Sequence, residues 1–327
     1  MPISGPNSYP ATMSQFIQHW TDLNVAIGTP LVLSGTRNVA LFTTWLDTVQ
    51  TRITETMSAV LSATNRKGEL DVMKANLISW TVIFNATVRA DHGTLSYARN
   101  LQNAPQQSAG RGQFVEPLVK TQQIWNDLNA ATGTDIALTR RRTLPNGTLA
   151  TETLELADYE ALIDAMQEQW NAWTRAQQAA ENIREQRNDA MQLAYDAMRD
   201  YRLKVPLELP PGHALLDSLP SLSPDSGATP DAPEATAAWN PATEQADLAA
   251  TPSTTPEVDR HELRFSPEDP YNPENEIVLT TIPAGQPLTH TTSIGLAIPG
   301  DTARFSWVAL TPDGRESRSN ITPVTRV

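Results

Sequence analysis

The chain has 327 residues, 39% apolar and 19% charged, and its 24 Lys+Arg against 37 Asp+Glu give a net charge of −13. That length admits two or three domains, and the acidic balance repels phosphate backbones and anionic lipid, which argues against nucleic-acid and membrane partners. The absence of cysteine excludes disulfides, thiolate metal sites and cysteine nucleophiles.

Charge and proline divide the chain near residue 205. Residues 1–204 carry 18 Lys+Arg and 20 Asp+Glu, whereas 205–327 carry 6 and 17, no lysine and most of the 25 prolines. The first ten residues have neither a basic start nor an apolar run, so no signal peptide is recognisable. A cytoplasmic location is then the default, with export by a dedicated system left open. The most apolar run, 77–84, is too short to span a bilayer.

Residues 1–11 hold three prolines and read as an extended arm. A first helix is predicted over about 12–26, with Phe16, Trp20, Leu23 and Ile27 on one face and Gly28 and Pro30 ending it. Thr36 or Asn38 opens a second, whose stripe includes Phe42, Trp45, Val49, Ile53, Met57 and Val60. Asn65-Arg66-Lys67-Gly68 reads as a short break. A third helix follows over 69–90 with Leu70, Leu77, Trp80, Phe84 and Val88 in line, and so short a connection predicts an antiparallel hairpin. Residues 92–112 form a weakly patterned connector in which Gly110-Arg111-Gly112 reads as flexible. A fourth helix is predicted over 114–131, with Pro117 in its first turn.

The period then falls to two on either side of Pro145-Asn146-Gly147, which predicts a β-hairpin near 136–154. The only basic cluster, Arg140-Arg141-Arg142, alternates faces on that hairpin, with Glu152 and Glu155 placed to pair with it. Residues 158–204 contain no Pro or Gly. Tyr159, Met166, Trp170, Trp173, Ala180, Ala194, Met198 and Tyr201 recur at steps that fall on one helical face, and Pro206 marks the stop. The result is one long helix of about 65–70 Å. Arg187 and Gln177 interrupt its stripe, either as polar register-setting positions at a helix or subunit contact or because the stripe drifts. This rod outreaches the other helices. Its C-terminal third, with Met191, Ala194, Met198 and Tyr201, therefore needs cover from the Leu-rich segment 207–222 folding back or from the same helix of a second copy.

The fold class is therefore multidomain α plus all-β. Residues 1–204 are read as an antiparallel helical bundle with one long helix and the hairpin, 205–232 as a Pro-rich linker lying along it, and 233–327 as a β-sandwich of short alternating strands. In that last region Glu262-Leu263-Arg264-Phe265 reads as a central strand and Ile277-Val278-Leu279 as the next. Thr291-Thr292-Ser293-Ile294-Gly295-Leu296-Ala297-Ile298-Pro299-Gly300 leads into a strand that turns Ala303, Phe305, Trp307 and Ala309 one way. Asp313-Gly314 turns the chain into the last strand, 321–327. These residues resemble a fibronectin type III module, a divergent one, since Ala303 stands where that family places a tyrosine and Trp239 is displaced from the early-strand tryptophan. A helical region followed by such a module also resembles a group of uncharacterised bacterial proteins, which implies no activity.

No catalytic, cofactor or metal residues are assigned. His19, His92, His213, His261 and His290 lie too far apart in sequence to form a metal pair, and no nucleophile elbow, phosphate loop or dinucleotide fingerprint is present. The acidic run 268–276 concentrates oxygen ligands without the glycine and alternation of a calcium loop, and reads as a strand connection. The expectation is a non-enzymatic structural or interaction protein. Its helical bundle would serve for assembly with a protein partner or with itself through the long helix, and its acidic sandwich for display. A component of a phage or secretion-type particle, and an enzyme whose site forms only in three dimensions, are the alternatives.

Overall fold

Two helices of 53 residues, α2 (Val39–Asp91) and α4 (Leu156–Glu208), carry most of the helical part of the computed structural model, which describes residues 3, 5–94, 96–143, 148–223, 229–312 and 314–327. The chain divides into two compact units, Met1–Thr64 with Ala176–Val327 and Asn65–Arg175, and both long helices contribute to each.

The expected break at Asn65–Gly68 is instead helical, so the second and third predicted helices are one. Glycine in a helix interior costs only about 1 kcal/mol against alanine, which packing readily overrides. Here Arg66 pairs with Glu69 at 3.0 Å, and Gln169 Nε2 donates to the Arg66 carbonyl. Pro206 likewise does not stop α4, which runs two residues further.

The unit formed by residues 65–175 adds α3 (Arg111–Thr132) and a hairpin of β1 (Leu138–Thr143) with β2 (Leu149–Leu154). Gly110 is the N-cap of α3 and Arg111 and Gly112 open it, so this glycine-rich triplet is a helix start rather than a flexible connector. Pro117 lies inside α3, past its first turn. Phe84 stacks on Trp125 at 5.1 Å, and Trp125 packs against Tyr159. Burial pushes the Tyr159 hydroxyl up to about 12. On the hairpin Arg140 faces Glu152 in register, donates to it from Nε at 2.6 Å, and lies over the Trp80 ring at 4.2 Å. The Pro145-Asn146-Gly147 turn lies outside the described residues.

The other unit begins with α1 (Tyr9–Ile27), ended by Gly28 in the left-handed conformation. Its Met13, Phe16, Trp20 and Leu23 pack on the C-terminal part of α4, where Met191, Ala194, Met198 and Tyr201 are buried. The short helix α5 (Ala214–Asp217) lies in the Leu-rich segment, whose Leu209, Leu215, Leu216, Leu219 and Leu222 join the same core. The far end of the α4 stripe is thus covered within the chain, by α1 together with the folded-back segment.

The sandwich completes this unit. Strands β3 (Glu234–Asn240), β4 (Gln245–Thr251) and β7 (Leu288–Thr292) form one antiparallel sheet in the order β3-β4-β7. The larger sheet runs β10-β8-β5-β6, built from β5 (Arg260–Ser266), β6 (Ile277–Pro283), β8 (Thr302–Leu310) and β10 (Thr322–Thr325). β9 (Glu316–Arg318) also pairs with β8. The C-terminal part is thus an antiparallel β-sandwich of two sheets. Trp307 is buried and faces Leu263 in register, while Phe305 faces Phe265. The alternation of apolar residues fixes which face a residue takes but not its position along the strand. Gly295 holds φ near +70°, and a Cβ there would stand 3.2 Å from the Phe265 ring, so both backbone and space favour glycine. Asp313 lies outside the described residues. Val60 and Ala180 from α2 and α4 belong to the sandwich's hydrophobic cluster, which ties the module to the helical segments of its own unit.

Candidate functional site: a charged cavity on the larger sheet

A half-buried strand normally alternates between buried and exposed residues. β5 does not: residues 261–266 are all buried. Leu263 and Phe265 enter the sandwich core, while Glu262 and Arg264 occupy the opposite face of the sheet and are covered there. The cover encloses a cavity of about 600 Å³ within this unit. Its helical wall comes from Ile53, Thr56 and Met57 of α2 and from Arg184, Arg187 and Met191 of α4, each set on one helical face. Residues 5–8 of the N-terminal arm close a further side. The floor is the sheet, with Arg260, Glu262, Arg264, Glu276, Glu316 and Arg318.

Arg264 is the hub. Its Nη1 donates to Glu276 Oε1 at 2.6 Å, its Nε and Nη2 to Glu262 Oε2 at 3.0 and 2.8 Å, and Nη2 also to Glu316 at 3.2 Å. Burial alone would lower its pKa, but the charges of Glu262, Glu316 and Glu276 prevail and raise it. Arg318 grips Glu276 bidentately at 2.6 and 2.9 Å and donates to Ser306 and the Tyr271 hydroxyl. Tyr271 in turn donates to Glu276 Oε2 at 2.6 Å. Burial opposes ionisation of Glu276, yet the Arg318 hydrogen bonds and the Arg264 charge hold its carboxyl below the usual range. Arg260 donates to the remaining oxygen of Glu262 at 3.2 Å. The three carboxylates of the floor are thus all answered by guanidinium groups.

Of the residues singled out from the sequence, Arg187 lies in this cavity wall, buried, and donates to Asn188 Oδ1 at 2.9 Å. Gln177 is exposed. In the acidic run Glu268 accepts from Asn272 and Asn275, Asp269 pairs with Arg304, and Glu276 belongs to the network. The histidines stay apart. His19 is buried against Tyr201, His213 caps α5, and His261 and His290 lie on β5 and β7. Among the described residues no three His, Asp or Glu side chains form a metal-holding group, and no helix is long and apolar enough to cross a membrane. The network itself was missed in the sequence. Its readable signal is Arg260-x-Glu262-x-Arg264, charge at alternate positions of a strand whose Leu263 and Phe265 are core.

No protein-family model matches the chain, and no curated protein matches it. Among solved structures, an Fn3-like protein from Clostridium thermocellum aligns at 16% identity over 31% of this chain and 96% of that one, with a TM-score of 0.25. Pectate lyase Pel3 from Pectobacterium carotovorum (9% identity) and pectate lyase PelI from Erwinia chrysanthemi (12%) each align over 28% of this chain, with TM-scores of 0.23. The aligned part spans only 26% and 27% of those two lyases. Likenesses at these TM-scores carry no functional argument.

Proposed function

We propose that the protein is a non-enzymatic structural or protein-interaction protein, in which the helical segments of the first unit are a mount and the sandwich is the displayed module. The observation that carries this reading is the closed ion network under the larger sheet. Glu262, Glu276 and Glu316 each pair with Arg264, an arrangement suited to holding a sheet in place. The smaller sheet is left open: Thr236, Ala238, Asp247, Thr289 and Thr291 are exposed along its outer face.

The surface for assembly with a second copy lies on α4, where Leu203 and Leu207, one turn apart, are 68% and 82% exposed. Light scattering at two concentrations tests this reading. The expected result is a mass above the 35.8 kDa monomer that rises with concentration and returns to monomer in Leu203→Glu/Leu207→Glu. A parent that is monomeric at both concentrations contradicts self-assembly.

A further inference from the structure

The carboxylates of the cavity floor are paired, and one donor on its helical wall is not. Arg184 stands on α4 one turn before Arg187 and lines the same cavity. Its Nε is buried with no hydrogen-bond partner, and among the described residues its guanidinium makes no hydrogen bond and no ion pair. Arg184 is half-buried, and a buried N–H donor without an acceptor forgoes a hydrogen bond that a ligand oxygen could supply. Arg260, Arg264 and Arg318 do not share this problem, because Glu262, Glu276 and Glu316 already accept from them. This open donor lines a cavity of about 600 Å³, within the size range of small-molecule sites, about 300–1,000 Å³. The planar fork of arginine favours carboxylate and phosphate oxygens.

We propose that the cavity between α4, α2 and the larger sheet binds a small oxyanion-bearing ligand, a carboxylate or phosphate compound, through Arg184. The ligand supplies the acceptors that the protein withholds from this side chain. The site is independent of whether the chain self-assembles. Its occupant would add a bridge between α4 and the sheet, beside the existing ion network.

The test uses the intact chain in low-chloride buffer, titrated with inorganic phosphate or with citrate against chloride at matched ionic strength. Binding is read by calorimetry and by the melting temperature. Phosphate or citrate is expected to bind and raise the melting temperature beyond the chloride control. Arg184→Gln is expected to weaken that binding about ten- to a hundredfold, the loss of one charged hydrogen bond, while Arg89→Gln, at an exposed position on α2, leaves it unchanged. A response to phosphate alone assigns the phosphoryl class and a response to citrate alone the carboxylate class. No binding beyond chloride, or equal binding by Arg184→Gln, overturns the proposal.

Discussion

Arg264 and Glu276 meet at 2.6 Å on the outer face of the larger sheet, with 6% and 7% of their side chains exposed. A charge pair this deep stabilises little compared with a well-packed apolar pair, but removing one member strands the other. Glu276→Gln should therefore cost about 3–5 kcal/mol, because it takes the carboxylate from both Arg264 and Arg318. Urea unfolding measures this. A loss under about 1 kcal/mol, the range of exposed pairs, would show that the network is open to water.

The latch of the Leu-rich segment is a histidine. His19 Nε2 lies 2.8 Å from the Leu215 carbonyl, which only accepts, so Nε2 carries the proton and Nδ1 accepts from the Tyr201 hydroxyl at 2.7 Å. His19→Leu should release the segment while α1 stays packed through Phe16 and Trp20. Hydrogen exchange at residues 214–222 should rise at least tenfold in that variant, and unchanged protection would show that the leucines alone hold the segment.

Stability should fall as pH drops below 6.5. His261 is buried, its Nε2 accepts from the Ser253 amide at 3.3 Å, and burial lowers its pKa from the ordinary 6.5. His290 is lowered by the same cause. The unfolded chain then binds protons that the folded chain refuses. The neutral imidazoles contribute in full above pH 6.5, and the contribution is lost as pH falls towards the folded values. Melting temperatures from pH 7.5 to 5 should decline in the parent and decline less in His261→Gln. An equal decline in both would remove His261 as a cause.

Trp307 fills the sandwich core beside Phe305 and Leu263. Trp307→Ala should cost about 3–5 kcal/mol by transfer and cavity terms together, a large share of a typical total of about 5–15 kcal/mol. A variant with the parent's urea midpoint would contradict that packing.

The sequence made the elements legible and their partners much less so. Stripes such as Phe16, Trp20 and Leu23 name a helix and its buried face, because apolar spacing is a local property. The Asn65–Gly68 segment misled because weak local signals yield to packing, here to the contact of Gln169 with the Arg66 carbonyl. The cavity was harder still. Arg187 stood out as a break in a stripe, but nothing local ties it to Arg264, some 77 positions later. That juxtaposition follows from the sandwich settling on α2 and α4, through contacts such as Val60 and Ala180.

The helical segments of this unit hold the sandwich by its larger sheet. The most direct measurement compares urea unfolding of residues 233–327 alone with the β-rich transition of the full chain, followed by circular dichroism. The isolated module should fold, since most of its core residues lie within it, but it should unfold at a clearly lower urea concentration, because Glu262, Arg264 and Glu276 lose their cover. Equal midpoints would contradict the account, since they would mean that the helices contribute nothing to the sheet they overlie.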